Sequence, residues 1–193
     1  MDYIPEHEAW ARSTLAGLEL DFVIGSMHLL RGLPIDFSPP KLEHLINICG
    51  GTESFLEEYF DRMAHVAESG WADVIGHLDI FKKFDADLRT FPPRVVMPYA
   101  EQFLDRLAAL PAENRPVLEI NTAGCDRACA EPFPSAAIAA AAHVRGIELT
   151  LGSDSHAPDQ VGRHGREATE LLASCGVKGL TYFLAGERLR FAL

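Results

Sequence analysis

With 193 residues, 48% of them hydrophobic and 23% charged, the chain has the composition of a globular domain with room for one sizeable core. Its net charge of -11 argues against nucleic acid or an anionic membrane surface as a partner, since both select basic patches. Cys49, Cys125, Cys129 and Cys175 form no CxxC pair, residues 1–6 lack a basic or apolar leader, and no apolar run is long enough to span a bilayer, so reduced thiols and a cytoplasmic location are expected.

In chain order, residues 6–19 are expected to form a helix with Trp10, Leu15 and Leu18 on its apolar stripe. A strand follows over 21–25, where Phe22-Val23-Ile24 stops at Gly25. The stretch 30–50, with Pro34, Pro39 and Pro40, reads as a long irregular loop over a functional face. Thr52 opens a helix in which Phe55, Leu56, Tyr59, Phe60, Met63, His65 and Val66 recur at helical spacing, and Gly70 ends it. Trp71-Ala72-Asp73-Val74-Ile75 is a second strand; a loop with Lys82 and Lys83 leads to a helix over 94–110. Pro116-Val117-Leu118-Glu119-Ile120 is a third strand, and Ser135 caps an Ala-rich helix that Gly146 closes. Residues 147–151 make a fourth strand, 159–174 a helix, and Ala185-Gly186 centres a terminal hairpin. Alternating strands and helices specify a parallel α/β protein; no repeat or linker interrupts residues 1–193, so one domain is expected.

Right-handed crossovers put every strand's C-terminal end on one side of the sheet. Four segments end that way: Gly25-Ser26-Met27-His28, Gly76-His77-Leu78-Asp79, Glu119-Ile120-Asn121-Thr122 and Ser153-Asp154-Ser155-His156. They bring His28, His77, Glu119, Asp154 and His156 to one face as candidate metal ligands, with His28, His77, Asp154 and His156 as the candidate catalytic set. In an extended segment Asp154 and His156, two apart, would point the same way and could share a cation. Glu119 sits inside an apolar strand, where a carboxylate is costly unless paired or metal-bound. Imidazole and carboxylate donors suit zinc, manganese or iron, which activate water and polarise phosphoryl oxygens. Arg127 and Arg163 follow two of the motifs on the same face and are candidate anion contacts, with Asn121 as a further candidate substrate contact. His7, His44, His65 and His143 have no such setting and are expected to be structural or solvated.

These segments, together with Glu131-Pro132-Phe133-Pro134-Ser135, make the chain resemble the PHP family of metal-dependent phosphoesterases, and within it the histidinol-phosphatase branch. The resemblance implies a distorted (β/α)7 barrel, a cluster of two or three divalent ions held by residues including His28, His77, Asp154 and His156, and Glu119 ordering the site. It also implies Arg127 and Arg163 on the phosphate, with L-histidinol phosphate as the small phosphorylated substrate. The family's HxH motif is absent, and Met1-Asp2-Tyr3-Ile4-Pro5-Glu6 is similar to the tail of its Gly-x-Glu-x-Asp motif. Loss of about two βα units, on the order of 70 residues, is therefore expected, with open sheet edges, weakened activity and oligomerisation left open. Two alternatives stand beside this: a PHP phosphoesterase or exonuclease acting on nucleotides, and a degenerate, non-catalytic PHP fragment.

Overall fold

The computed structural model describes all residues, 1–193. Its elements are α1 (Glu8–Leu15), β1 (Ile24–Gly25), β2 (Leu29–Leu30), β3 (Leu33–Pro34), α2 (Pro39–Cys49), α3 (Thr52–Glu68), β4 (Val74–Ile75), α4 (Pro93–Ala109), β5 (Val117–Asn121), α5 (Ala136–Val144), β6 (Leu149–Gly152), α6 (Gly165–Ser174), β7 (Gly179–Leu184) and β8 (Glu187–Ala192). Strands β1, β4, β5 and β6 lie side by side in chain order and all parallel. Every residue of β5 is buried, in a strand flanked on both edges by the parallel neighbours β4 and β6. Successive helices α2, α3, α4, α5 and α6 pack against one another.

Residues Met1–Tyr3 extend the sheet beyond β1. The terminal amine donates to the Ile24 carbonyl, Ser26 N–H to Met1, and Tyr3 N–H to Ser26. At the other side the β7–β8 hairpin, joined by Ala185 and Gly186 at φ 52° and 76°, is tied to the start of β6 by the Thr181 hydroxyl, which donates to Glu148. Both turn residues have the positive φ that suits the twist of a two-residue hairpin.

The parallel α/β arrangement is the one expected. Where the resemblance implies a distorted (β/α)7 barrel short of about two βα units, the parallel sheet is a run of four strands. Three local expectations are corrected. Residues 30–50 hold a short β2–β3 hairpin and the helix α2 rather than an irregular loop. Pro39 and Pro40 occupy the first turn of α2, where a missing N–H costs nothing and the fixed φ favours the helix. The first helix buries only Ala11, and Trp10 is 64% exposed. On α3 the predicted core face is buried, but His65 is exposed and turns to the Asp61 carbonyl.

The core that supports the functional face is aromatic. Phe55 and Tyr59 from α3 surround Phe81, with ring centroids of Tyr59 and Phe81 5.0 Å apart and of Phe81 and Phe91 4.7 Å apart. Phe81 belongs to the turn that follows β4, so its burial pins the neighbouring Ile80, Lys82 and Lys83 at the C-terminal end of the sheet. Edge-to-face and tilted ring contacts of this kind add to the area they remove from water.

Candidate metal and phosphate site

A cavity of about 260 Å³ opens at the C-terminal ends of the parallel strands. His28 enters it from the segment after β1, His77 from the end of β4, and Asp154 and His156 from the segment after β6. Arg127 and Phe133 close it from the long connection after β5, and Asp36 and Lys83 form the remaining polar wall. Larger clefts lie among the outer helices and at the opposite end of the sheet; in the first, between α3 and α4, Glu58 pairs with Arg31 and Asp61 with Arg106.

His77 is the most constrained member. It is 7% exposed, its N–H donates to Glu119 Oε2 at 2.8 Å, and its Nδ1 is buried with no hydrogen-bond partner. Burial, then the neighbouring His28, lowers its pKa to about 4, so the ring is neutral near pH 7, the form in which imidazole is a ligand. The His28 and His77 rings meet edge to face, centroids 4.7 Å apart. His77 and Asp154 hold positive φ, 23° and 45°, an uncommon region for residues with a Cβ and one that concentrates at functional sites.

Glu119 lies beneath this pocket rather than on its wall. Its Oε2 accepts from His77 N–H and from Asn121 Nδ2, and burial raises its pKa. Glu119, expected among the metal ligands, holds the backbone of His77 through this oxygen. Asn121 is 1% exposed, and its Oδ1 accepts from Ala123 N–H. Both ends of its amide, expected as a substrate contact, are used inside the protein, and Asn121 is not among the residues that line the pocket. Its backbone bridges Phe133 in both directions, docking the Glu131–Ser135 stretch onto β5.

Arg163 also departs from expectation. Its guanidinium donates to the carbonyls of Ser153 and Asp154 and to Asp126, so it braces the Asp154–His156 segment instead of facing the pocket. Arg127, by contrast, is exposed at the pocket wall. Asp154 and His156 do not alternate as in a strand. The left-handed backbone at Asp154 folds the segment, and the His156 ring, 77% exposed, turns its Nδ1 to the Asp154 carbonyl. His7, His44 and His65 are exposed and His143 half-buried away from the pocket.

Asp36 and Lys83 are the functional-face residues that sequence reasoning missed. Asp36 bonds both His28 and Lys83. No local pattern signals this, because the partners are 8 and 47 residues away.

The donor set fits a divalent cation in kind: neutral imidazole and carboxylate oxygen, with an orphaned buried imidazole nitrogen at its centre. It does not form a ready-made cage, since no three His, Cys, Asp or Glu side chains are gathered closely enough to hold one ion.

Close backbone approach explains the glycines of these motifs. A Cβ on Gly152 would fall inside the Glu119 carboxylate, 2.9 Å from its Cδ, and one on Gly76 would lie 2.6 Å from Ser26 Oγ. Glu119 cannot swing away without leaving His77 N–H unpaired. Gly152→Ala is therefore expected to destabilise the fold by about 1–3 kcal/mol through overpacking, read as a lower urea midpoint. An unchanged midpoint would mean that Glu119 moves freely.

Fold and pocket define an α/β protein on a parallel sheet with a metal-type, anion-facing site at the strand ends. The comparisons make this more specific. The chain is 33% identical over 181 residues to a probable histidinol-phosphatase of Deinococcus radiodurans, covering 94% of this chain and 65% of that protein. It is 27% identical to a probable histidinol-phosphatase of Schizosaccharomyces pombe, covering 93% of this chain and 59% of that one. The chain thus spans 65% and 59% of the length of these relatives. Its fold is that of the solved histidinol phosphate phosphatase of Lactococcus lactis, complexed with zinc, L-histidinol and phosphate, at a TM-score of 0.73 and 19% identity, covering 98% of this chain and 69% of that one. No family model matches the chain.

Proposed function

We propose that this chain carries the site of a PHP-type histidinol-phosphatase, which splits L-histidinol phosphate and water into L-histidinol and phosphate, within the distorted (β/α)7 architecture of that family. The observation that carries the reading is the strand-end pocket, where His28, His77, Asp154 and His156 meet the Arg127 guanidinium. The likeness to proteins named for this activity supports it. His28, His77, Asp154 and His156 would hold the divalent ions, two or three of zinc, manganese or iron, with Glu119 ordering them from below. A bound divalent ion supplies Lewis acidity toward water and the phosphoryl oxygens. The chain's own residues do the rest: Arg127 pairs with phosphate oxygens, the low pKa of His77 keeps its lone pair free of a proton, and Phe133 and Ile80 give the pocket an apolar flank.

The reading is tested by phosphate release with added Mn²⁺ or Zn²⁺. Metal-dependent release from L-histidinol phosphate is expected to exceed that from a 3′-phosphonucleotide; the reverse preference would assign the chain to the nucleotide-acting branch instead. A second reading, a non-catalytic module of the same fold, is favoured by the lack of a gathered three-donor cage. Protein that is free of metal and takes up none on addition, yet stays folded, would decide for it.

A further inference from the structure

The connection between β3 and α2 contributes an acid that no motif announces. Asp36 Oδ1 stands 3.3 Å from His28 Nδ1, and Asp36 Oδ2 stands 3.2 Å from Lys83 Nζ. Lys83 Nζ also donates to the Asp36 backbone carbonyl at 2.9 Å, gripping the residue at both ends. The His28 main chain is fixed separately, its N–H donating to Asp2 Oδ1 at 2.9 Å. Lys83 in turn is placed by the buried turn after β4, anchored through Phe81. All three side chains line the same cavity. Asp36 and its lysine thus form a bracket around one imidazole nitrogen.

A carboxylate paired to an ammonium can only accept a hydrogen bond, so the His28 nitrogen facing it must carry the proton. The other ring nitrogen is then left with its lone pair. Ligating histidines are oriented in this way by an outer carboxylate.

We infer that Asp36, anchored by Lys83, is a positioning residue that fixes His28 as the Nδ1–H tautomer and dedicates Nε2 to the cation that enters the pocket. This rests on the metal reading of the site, but its first consequence is visible without metal.

The experiment is side-chain nitrogen NMR on the metal-free full chain, above the imidazole pKa, with His28 assigned by its absence in His28→Gln. Wild type is expected to show His28 in a single Nδ1–H form. Asp36→Ala is expected to release the ring to a mixture in which Nε2–H is populated, whereas Asp36→Asn, whose Oδ1 still accepts, retains the Nδ1–H form. Zinc affinity, measured by competition with a chromophoric chelator, is expected to fall about 10–100-fold in Asp36→Ala and less in Asp36→Asn. A tautomer mixture in wild type, or the same spectrum in wild type and Asp36→Ala, overturns the inference. An Nδ1–H ring in a wild-type protein that binds no zinc supports the hold of Asp36 on His28 and overturns the metal reading alone.

Discussion

Lys82→Met is expected to destabilise the protein by about 3–5 kcal/mol, the cost of stranding a buried charge by removing its partner. Lys82 is 3% exposed, between Asp79 Oδ2 at 2.8 Å and Glu131 Oε1 at 2.6 Å, with the Pro132 carbonyl at 3.0 Å. Burial works against its ammonium, but the two carboxylates outweigh burial and raise its pKa. Asp79 is 1% exposed, and its Oδ2 also accepts from Ser135 N–H. Methionine fills the volume of the stem but pairs with neither acid. The midpoint of urea unfolding should fall by about 2 M if the slope lies near 2 kcal/mol/M. Lys82→Met with Asp79→Asn should recover part of the loss, because the stranded charge is then gone. A loss below about 1 kcal/mol would place the network among solvated ion pairs. The same lysine joins the turn carrying Ile80 and Lys83 to the stretch carrying Phe133, two walls of the pocket, so its loss should also loosen the site.

His77→Gln is expected to have the largest effect on metal binding. A lost direct ligand should cost more than the about 10–100-fold that losing an outer-shell partner costs, read by zinc competition. Retained affinity would remove His77 from the ligand set. The variant also isolates a pH dependence. The folded pKa of His77 is about 4, against about 6.5 for a free imidazole. Between these values the unfolded chain binds a proton that the folded chain refuses, so the neutral ring's contribution is present above about pH 6.5 and lost as pH falls toward about 4. Glu119 and Asp79, both with pKa raised by burial, act in the opposite sense, retaining protons in the fold and giving up stability as pH rises. They are present in both proteins, and the backbone N–H that Glu119 accepts survives the substitution. The stability of wild type relative to His77→Gln should therefore shrink by on the order of 3 kcal/mol across that window. A pH-independent difference would mean that the ring titrates normally, with its burial relieved by solvent.

Much of this architecture is written in local pattern. The face of α3 from Phe55 to Val66, the apolar β5, and the Ala185-Gly186 hairpin all follow from periodicity and turn chemistry. So does the placing of His28, His77, Asp154 and His156 at one end of the sheet, because parallel crossovers leave a chain no other place for them. The helix α2 was hidden by Pro39 and Pro40, whose composition says loop while their position says first helical turn.

What folding alone decided is the assignment of polar groups to partners. Asn121 turns inward to Glu119 and Glu119 to the His77 N–H, Arg163 turns to the carbonyls of Ser153 and Asp154, and Asp36 turns to His28 and Lys83. A strand-end motif can state that a carboxylate or a guanidinium arrives at the functional face. Whether it faces the cavity or the protein beneath depends on which unsatisfied donors and acceptors the neighbouring strands and loops bring within about 3 Å, and those neighbours are tens of residues away in the chain.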